Sequence, residues 1–159
     1  MKGHEYVQEL LAEIEKSRNV LFQLDEFLQA VKVNELRTLG KTQSTALIIS
    51  GILENYYTCL ETTFLRIAQF FENNLKPEKW HSELLRKMTL KIDSLREAVL
   101  SDKTYSILSE LLRFRHFKRY YYELEYDWER LDYLLRKLEQ VKPLLEKDLD
   151  SFVLFLKRI

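Results

Sequence analysis

Apolar residues recur at three- and four-residue steps through most of this chain, with almost no glycine or proline to interrupt them, and that pattern restricts it to helices. From about Glu5 to Val31 the residues Val7, Leu10, Leu11, Ile14, Leu21, Leu24, Leu28 and Val31 mark one face of a long amphipathic helix. Ser17 and Arg18 interrupt the stripe, as a helix end, a polar contact with a neighbouring helix or the edge of the stripe would. Three glycines and two prolines in 159 residues supply too few turns for a many-stranded sheet, so the fold class is all-α.

Val33 to Gly40 reads as a connection, with Thr42 or Ser44 available to cap a second helix running to about Asn74. Its inward set is Leu47, Leu53, Tyr57, Leu60, Phe64, Ile67, Ala68 and Phe71, with Cys59 beside them as a small packing residue. Asn73-Asn74-Leu75-Lys76-Pro77 breaks the pattern by turn composition and by the restriction proline places on its predecessor. A shorter helix follows through Trp80, Leu84, Leu85 and Met88, extending towards Ile92. Leu95 to Ser101 reads as a second connection, after which Ser101 or Asp102 can cap a fourth helix carrying Ile107, Leu108, Leu111 and Leu112. The last helix starts near Asp127 and carries Trp128, Leu131, Leu134, Leu135, Leu138, Val141, Leu145, Leu149, Phe152 and Phe155. Pro143 lies inside it and predicts a kink or break around Gln140 to Lys142.

The length fits one domain, residues 1–159, able to bury roughly two-thirds of its unfolded surface. Lys+Arg and Asp+Glu are equal at 25 each, so nothing global draws the chain to nucleic acid or to an anionic membrane, and such binding would need a local patch. Cys59 is the single cysteine, which excludes an intrachain disulfide. The start Met1-Lys2-Gly3-His4-Glu5 lacks the apolar core of a signal peptide, so a cytoplasmic location is expected. Ala46 to Leu53 is the most apolar window and falls short of the ~18 residues of a membrane span. His4, His81 and His116 are far apart in sequence and show no metal-ligand spacing, and no glycine-rich phosphate loop exists; neither metal nor cofactor is expected. His81 beside Trp80 reads as a packing or capping residue.

The local patch is Leu111 to Tyr122, which gathers Arg113, Arg115, His116, Lys118 and Arg119 with Tyr120, Tyr121 and Tyr122. On a helix Arg115, Arg119 and Tyr122 form one column and His116 and Tyr120 the next. Guanidinium, imidazole and phenol groups in columns suit a phosphodiester, since arginine grips phosphate oxygens bidentately and rings stack on bases or move protons. A solvated basic helix face, neutralised by Glu123, Glu125, Asp127 and Glu129 just after it, is the plainer alternative.

Arg115-His116-Phe117-Lys118-Arg119-Tyr120-Tyr121-Tyr122 resembles the signature of HEPN-superfamily proteins, and more narrowly of the HepT-like toxins encoded beside a minimal nucleotidyltransferase antitoxin. That signature is an arginine, a polar residue, three variable residues, a histidine, one variable residue and a tyrosine. Arg115 falls on the arginine, His116 on the polar position and Tyr122 on the tyrosine, whereas Tyr120 stands where the family has its histidine. The resemblance extends to Trp80-His81 with Leu84, Leu85 and Met88, to Ala98-Val99-Leu100-Ser101, and to Tyr126 through Leu131.

It implies an up-and-down antiparallel bundle of about five helices that dimerises, with two motif copies around one cleft, and a metal-independent ribonuclease. An RNA 2′-hydroxyl would attack the neighbouring phosphorus, which requires a base, an acid and cations around the pentavalent charge. The resemblance gives Arg115 the last task and Tyr120 the position of the proton carrier, with His116 as a substitute on the adjacent helix column. Arg113, Lys118 and Arg119 are then the RNA-binding cations, and Tyr122 is the tyrosine to which the antitoxin adds AMP. With the histidine replaced, three readings stand: a ribonuclease of altered mechanism, a degenerate HEPN domain that binds RNA or its nucleotidyltransferase, and a purely structural dimer.

Overall fold

The computed structural model describes residues 2–72, 75, 78, 80–120 and 125–159, and at 2 and 118–120 only the backbone. Six helices follow in order: α1 (Lys2–Val33), α2 (Glu35–Leu39), α3 (Gln43–Phe71), α4 (Trp80–Lys87), α5 (Asp102–Tyr120) and α6 (Trp128–Leu156). α2 is a five-residue piece that buries nothing, so five helices build the all-α bundle. Among the described residues, the sole β feature is an isolated bridge between Ile92 and Arg96. α1 packs mainly on α3, and α5 lies between α3 and α6. α4 is wedged against α3 and α5. One continuous apolar core draws on α1, α3, α4, α5 and α6.

The polar break in α1 ends nothing. Arg18 pairs with Asp150 of α6 at 2.7 Å, and the Ser17 carbonyl accepts from the Cys59 thiol at 3.5 Å, so the interruption is a polar contact at the stripe's edge. Thr42 caps α3: its hydroxyl accepts from the Thr45 amide, while Thr45 Oγ1 accepts from the Thr42 amide. α3 ends at Phe71, short of the expected Asn74. Its buried face is centred on Ala46, Ile49, Ile52, Leu53, Tyr56 and Tyr57, which leaves Leu47, expected inside, 49% exposed.

α4 also stops earlier than its periodicity predicts, at Lys87. Arg96 ends it: its guanidinium donates to the carbonyls of Lys87, Leu90 and Glu97 and to Glu72, while the Met88 carbonyl accepts from Val99 and Leu100. α6 runs unbroken through Pro143. Val141, Leu145 and Leu149 on either side are buried in the same core, which holds both halves in register despite the lost amide.

Candidate functional site

α5 begins where Ser101 and Thr104 both bond to Asp148 of α6, fixing its rotation on the bundle. With Thr104, Ile107, Leu108 and Leu111 buried, helical spacing turns Phe114 and Arg115 onto the same inward face. Arg115 is therefore 3% exposed, and its cationic end lies under the surface rather than on it. On α3, Tyr57, Leu60, Phe64 and Ile67 make the buried stripe, and Glu61 falls on it for the same reason. The two charges meet where these faces touch. A lone buried charge is prohibitively costly, so each is the condition for the other's burial.

Arg115 Nη2 donates to Glu61 Oε2 at 2.8 Å, and Nη1 to Thr58 Oγ1 at 3.3 Å. The guanidinium carbon sits 4.9 Å from the centre of the Tyr57 ring. His81, in the first turn of α4, brings Nδ1 to 2.8 Å from Glu61 Oε2 and 3.1 Å from Arg115 Nη2. Its ring is stacked on Trp80 with centres 3.7 Å apart. A guanidinium, a carboxylate and an imidazole from three helices thus converge within hydrogen-bond distance. The Tyr57 hydroxyl is buried without a hydrogen-bond partner among the described residues, and burial, helped by the Glu61 charge, pushes its phenol well up against the opposing pull of Arg115.

Two motif residues with described side chains part from Arg115. Arg113 and His116 are exposed, on other sides of α5. Arg113 lines a separate cleft of about 430 Å³ with Phe117, Tyr126 and Arg130, in which Glu125 and Asp127 offset the two arginines. Lys118, Arg119 and Tyr120 occupy the last turn of α5, where only the backbone is described, and Tyr121 and Tyr122 lie outside the described residues. In the column Arg115, Arg119 and Tyr122, Arg115 is thus the one residue with a described side chain. Sequence reasoning missed Glu61 entirely and took His81 for a packing or capping residue. The available signal was a carboxylate at the centre of an otherwise apolar stripe in α3, which demands a buried cationic partner.

Among the described residues no group of three or more His, Cys, Asp or Glu is placed to hold a metal ion, and no helix is long and apolar enough to cross a membrane. Residues 48–156 match the sequence model of a protein family described as HepT-like protein, a span that holds the whole Glu61–His81–Arg115 cluster. No curated protein and no solved structure matches the chain.

Proposed function

Because this chain belongs to the HepT-like family of the HEPN superfamily, which suggests the toxin of a toxin–antitoxin pair, we propose that it is a ribonuclease that cleaves RNA without metal and is silenced when a minimal nucleotidyltransferase partner adds AMP to Tyr122. The observation that carries the reading is the placement of Arg115. Arg115, which the resemblance puts at the motif arginine, is anchored on a carboxylate–imidazole pair, an arrangement suited to moving a proton beside a phosphodiester. α1, outside the matched residues, shares the core with them, which supports reading 1–159 as one domain. Arg113, Lys118 and Arg119 supply cationic reach towards the RNA backbone, and His116 and Tyr120 are the further proton carriers on the motif helix. AMP on Tyr122 would set phosphate charge and bulk against these cations and block the cleft.

The decisive experiment is incubation of the pure protein with a mixed single-stranded RNA pool, with and without chelator. Cleavage in both, leaving 2′,3′-cyclic phosphate ends, is expected; intact RNA at all protein concentrations sinks the reading. With the partner and ATP, intact mass should rise by AMP increments on wild type and not on Tyr122→Phe. Unchanged labelling of that variant moves the site to Tyr120 or Tyr121. A homodimer is expected by light scattering at micromolar concentration, since the cleft the resemblance implies lies between protomers.

Tyr120 favours a second reading, a degenerate HEPN domain that binds RNA or the nucleotidyltransferase without cutting. In that case RNA is retained on the protein uncut, and Tyr120→His creates activity.

A further inference from the structure

A phenol, with an ordinary pKa of about 10, is a poor proton acceptor at neutral pH, and a phenol is what stands at position 120. The fold brings a different imidazole to the motif arginine. Glu61 Oε2 lies 2.8 Å from both His81 Nδ1 and Arg115 Nη2, and those two nitrogens are 3.1 Å apart. Nη2 carries two hydrogens and reaches both atoms, so Nδ1 either accepts from Nη2 or donates its own hydrogen to the carboxylate. When Nδ1–H donates to Glu61, the lone pair falls on Nε2, and the carboxylate stabilises that tautomer. Glu61 and Arg115 have side chains at most 8% exposed, whereas that of His81 is 37% exposed. The imidazole is anchored on two buried charges while its own side chain is partly exposed.

We infer that His81, through Nε2, is the catalytic residue that carries the proton, with Glu61 and Arg115 as its positioning residues. This rests on the ribonuclease reading above. The 2′-hydroxyl gives its proton to Nε2 as its oxygen forms a bond to phosphorus and the bond from phosphorus to the 5′-oxygen breaks. The leaving oxygen takes a proton from solvent water, and the imidazolium returns its own to the resulting hydroxide. A 2′,3′-cyclic phosphate and a 5′-hydroxyl result, with no net consumption of water. His116 is a weaker candidate: it is exposed and about 100° around α5 from Arg115, away from the carboxylate that orients His81.

The test uses the full chain, a short single-stranded RNA and chelator throughout. Wild type should cleave. His81→Ala, shown folded by circular dichroism, should lose about 10²- to 10⁴-fold in kcat with KM little changed, the range for a positioned proton carrier. Added imidazole should restore part of that rate, which a merely structural role would not allow. Glu61→Gln should also lower kcat, because an amide holds the imidazole less firmly. A folded His81→Ala that cuts at the wild-type rate overturns the assignment and leaves the ribonuclease reading standing, whereas a wild-type chain that cuts no RNA overturns both. Should the alanine variant fail to fold, nitrogen-15 shifts of the wild-type His81 ring decide: the Nδ1–H tautomer is expected, and the Nε2–H tautomer refutes the proposal.

Discussion

Arg115→Ala tests the physical premise of the site directly. The substitution removes the guanidinium from Glu61, Thr58 and the Tyr57 ring, and strands a Glu61 side chain that is only 8% exposed in the wild type. Breaking one side of a buried ion pair costs about 3–5 kcal/mol, because the surviving charge stays desolvated. His81 Nδ1, 2.8 Å from Glu61 Oε2, remains as a polar partner, which puts the expected loss near the lower end, about 3 kcal/mol. At roughly 2–4 °C per kcal/mol for a chain of this size, Tm should fall by about 6–12 °C. Urea unfolding at pH 7 with an unchanged slope gives the same quantity independently. Arg113→Ala, two residues away and exposed, is the control and should stay within about 0.5 kcal/mol of wild type. The double variant Glu61→Leu/Arg115→Met should recover much of the loss, since apolar replacements remove both stranded charges. A cost for Arg115→Ala below about 1 kcal/mol, the range of exposed pairs, would refute the account of this cluster as a buried, mutually dependent pair. The magnitude bears on enzymology as well: loss of cleavage in Arg115→Ala has meaning only at temperatures well below its lowered Tm.

Three further outcomes are expected. Leu47→Glu should be nearly neutral in urea unfolding, whereas Ile49→Ala, two residues on and fully buried, should cost about 2–5 kcal/mol. Burial pushes the Tyr56 and Tyr57 phenols well up, so their contribution is fully present well below the unfolded value of about 10 and lost as pH rises through and beyond it; unfolding at pH 8, 10 and 11.5 should show stability falling slightly in the first interval and mostly in the last. Arg96→Ala strands Glu72 and uncaps α4, and the amides of Val99 and Leu100, bonded to the Met88 carbonyl, should then exchange with solvent much faster than in wild type.

The helices were legible because period and breakers are local. Thr42 and Asp127 were read near the helix starts they cap, and the stripes of α1 and α6 lie where spacing put them. Leu47 was misjudged for a physical reason. A leucine outranks an alanine in any hydrophobic tally, but the neighbouring helices sit over Ala46, and the small side chain is the one enclosed. The early end of α4 was illegible because it depends on Arg96, whose buried guanidinium claims carbonyls six and nine residues upstream. The site was hidden more deeply. Glu61, His81 and Arg115 are separated by 20 and 34 residues, and three titratable residues scattered over three helices have no spacing to recognise until the helices are packed.

A motif read along one helix assumes that its polar residues act on the same side, and Arg113, Arg115 and His116 do not. Arg115 faces α3 and α4, while Arg113 and His116 face outward. What surrounds Arg115 is therefore set by what the other helices bring to it, and under the assignment of the proton to His81 the identity of residue 120 carries less weight. Tyr120→His in a His81→Ala background separates the two possibilities. If the motif position governs cleavage, the added histidine raises the rate whether or not His81 is present. If His81 carries the proton, the double variant stays as slow as His81→Ala. Recovery of the wild-type rate in the double variant would show that α4 supplies packing and no chemistry.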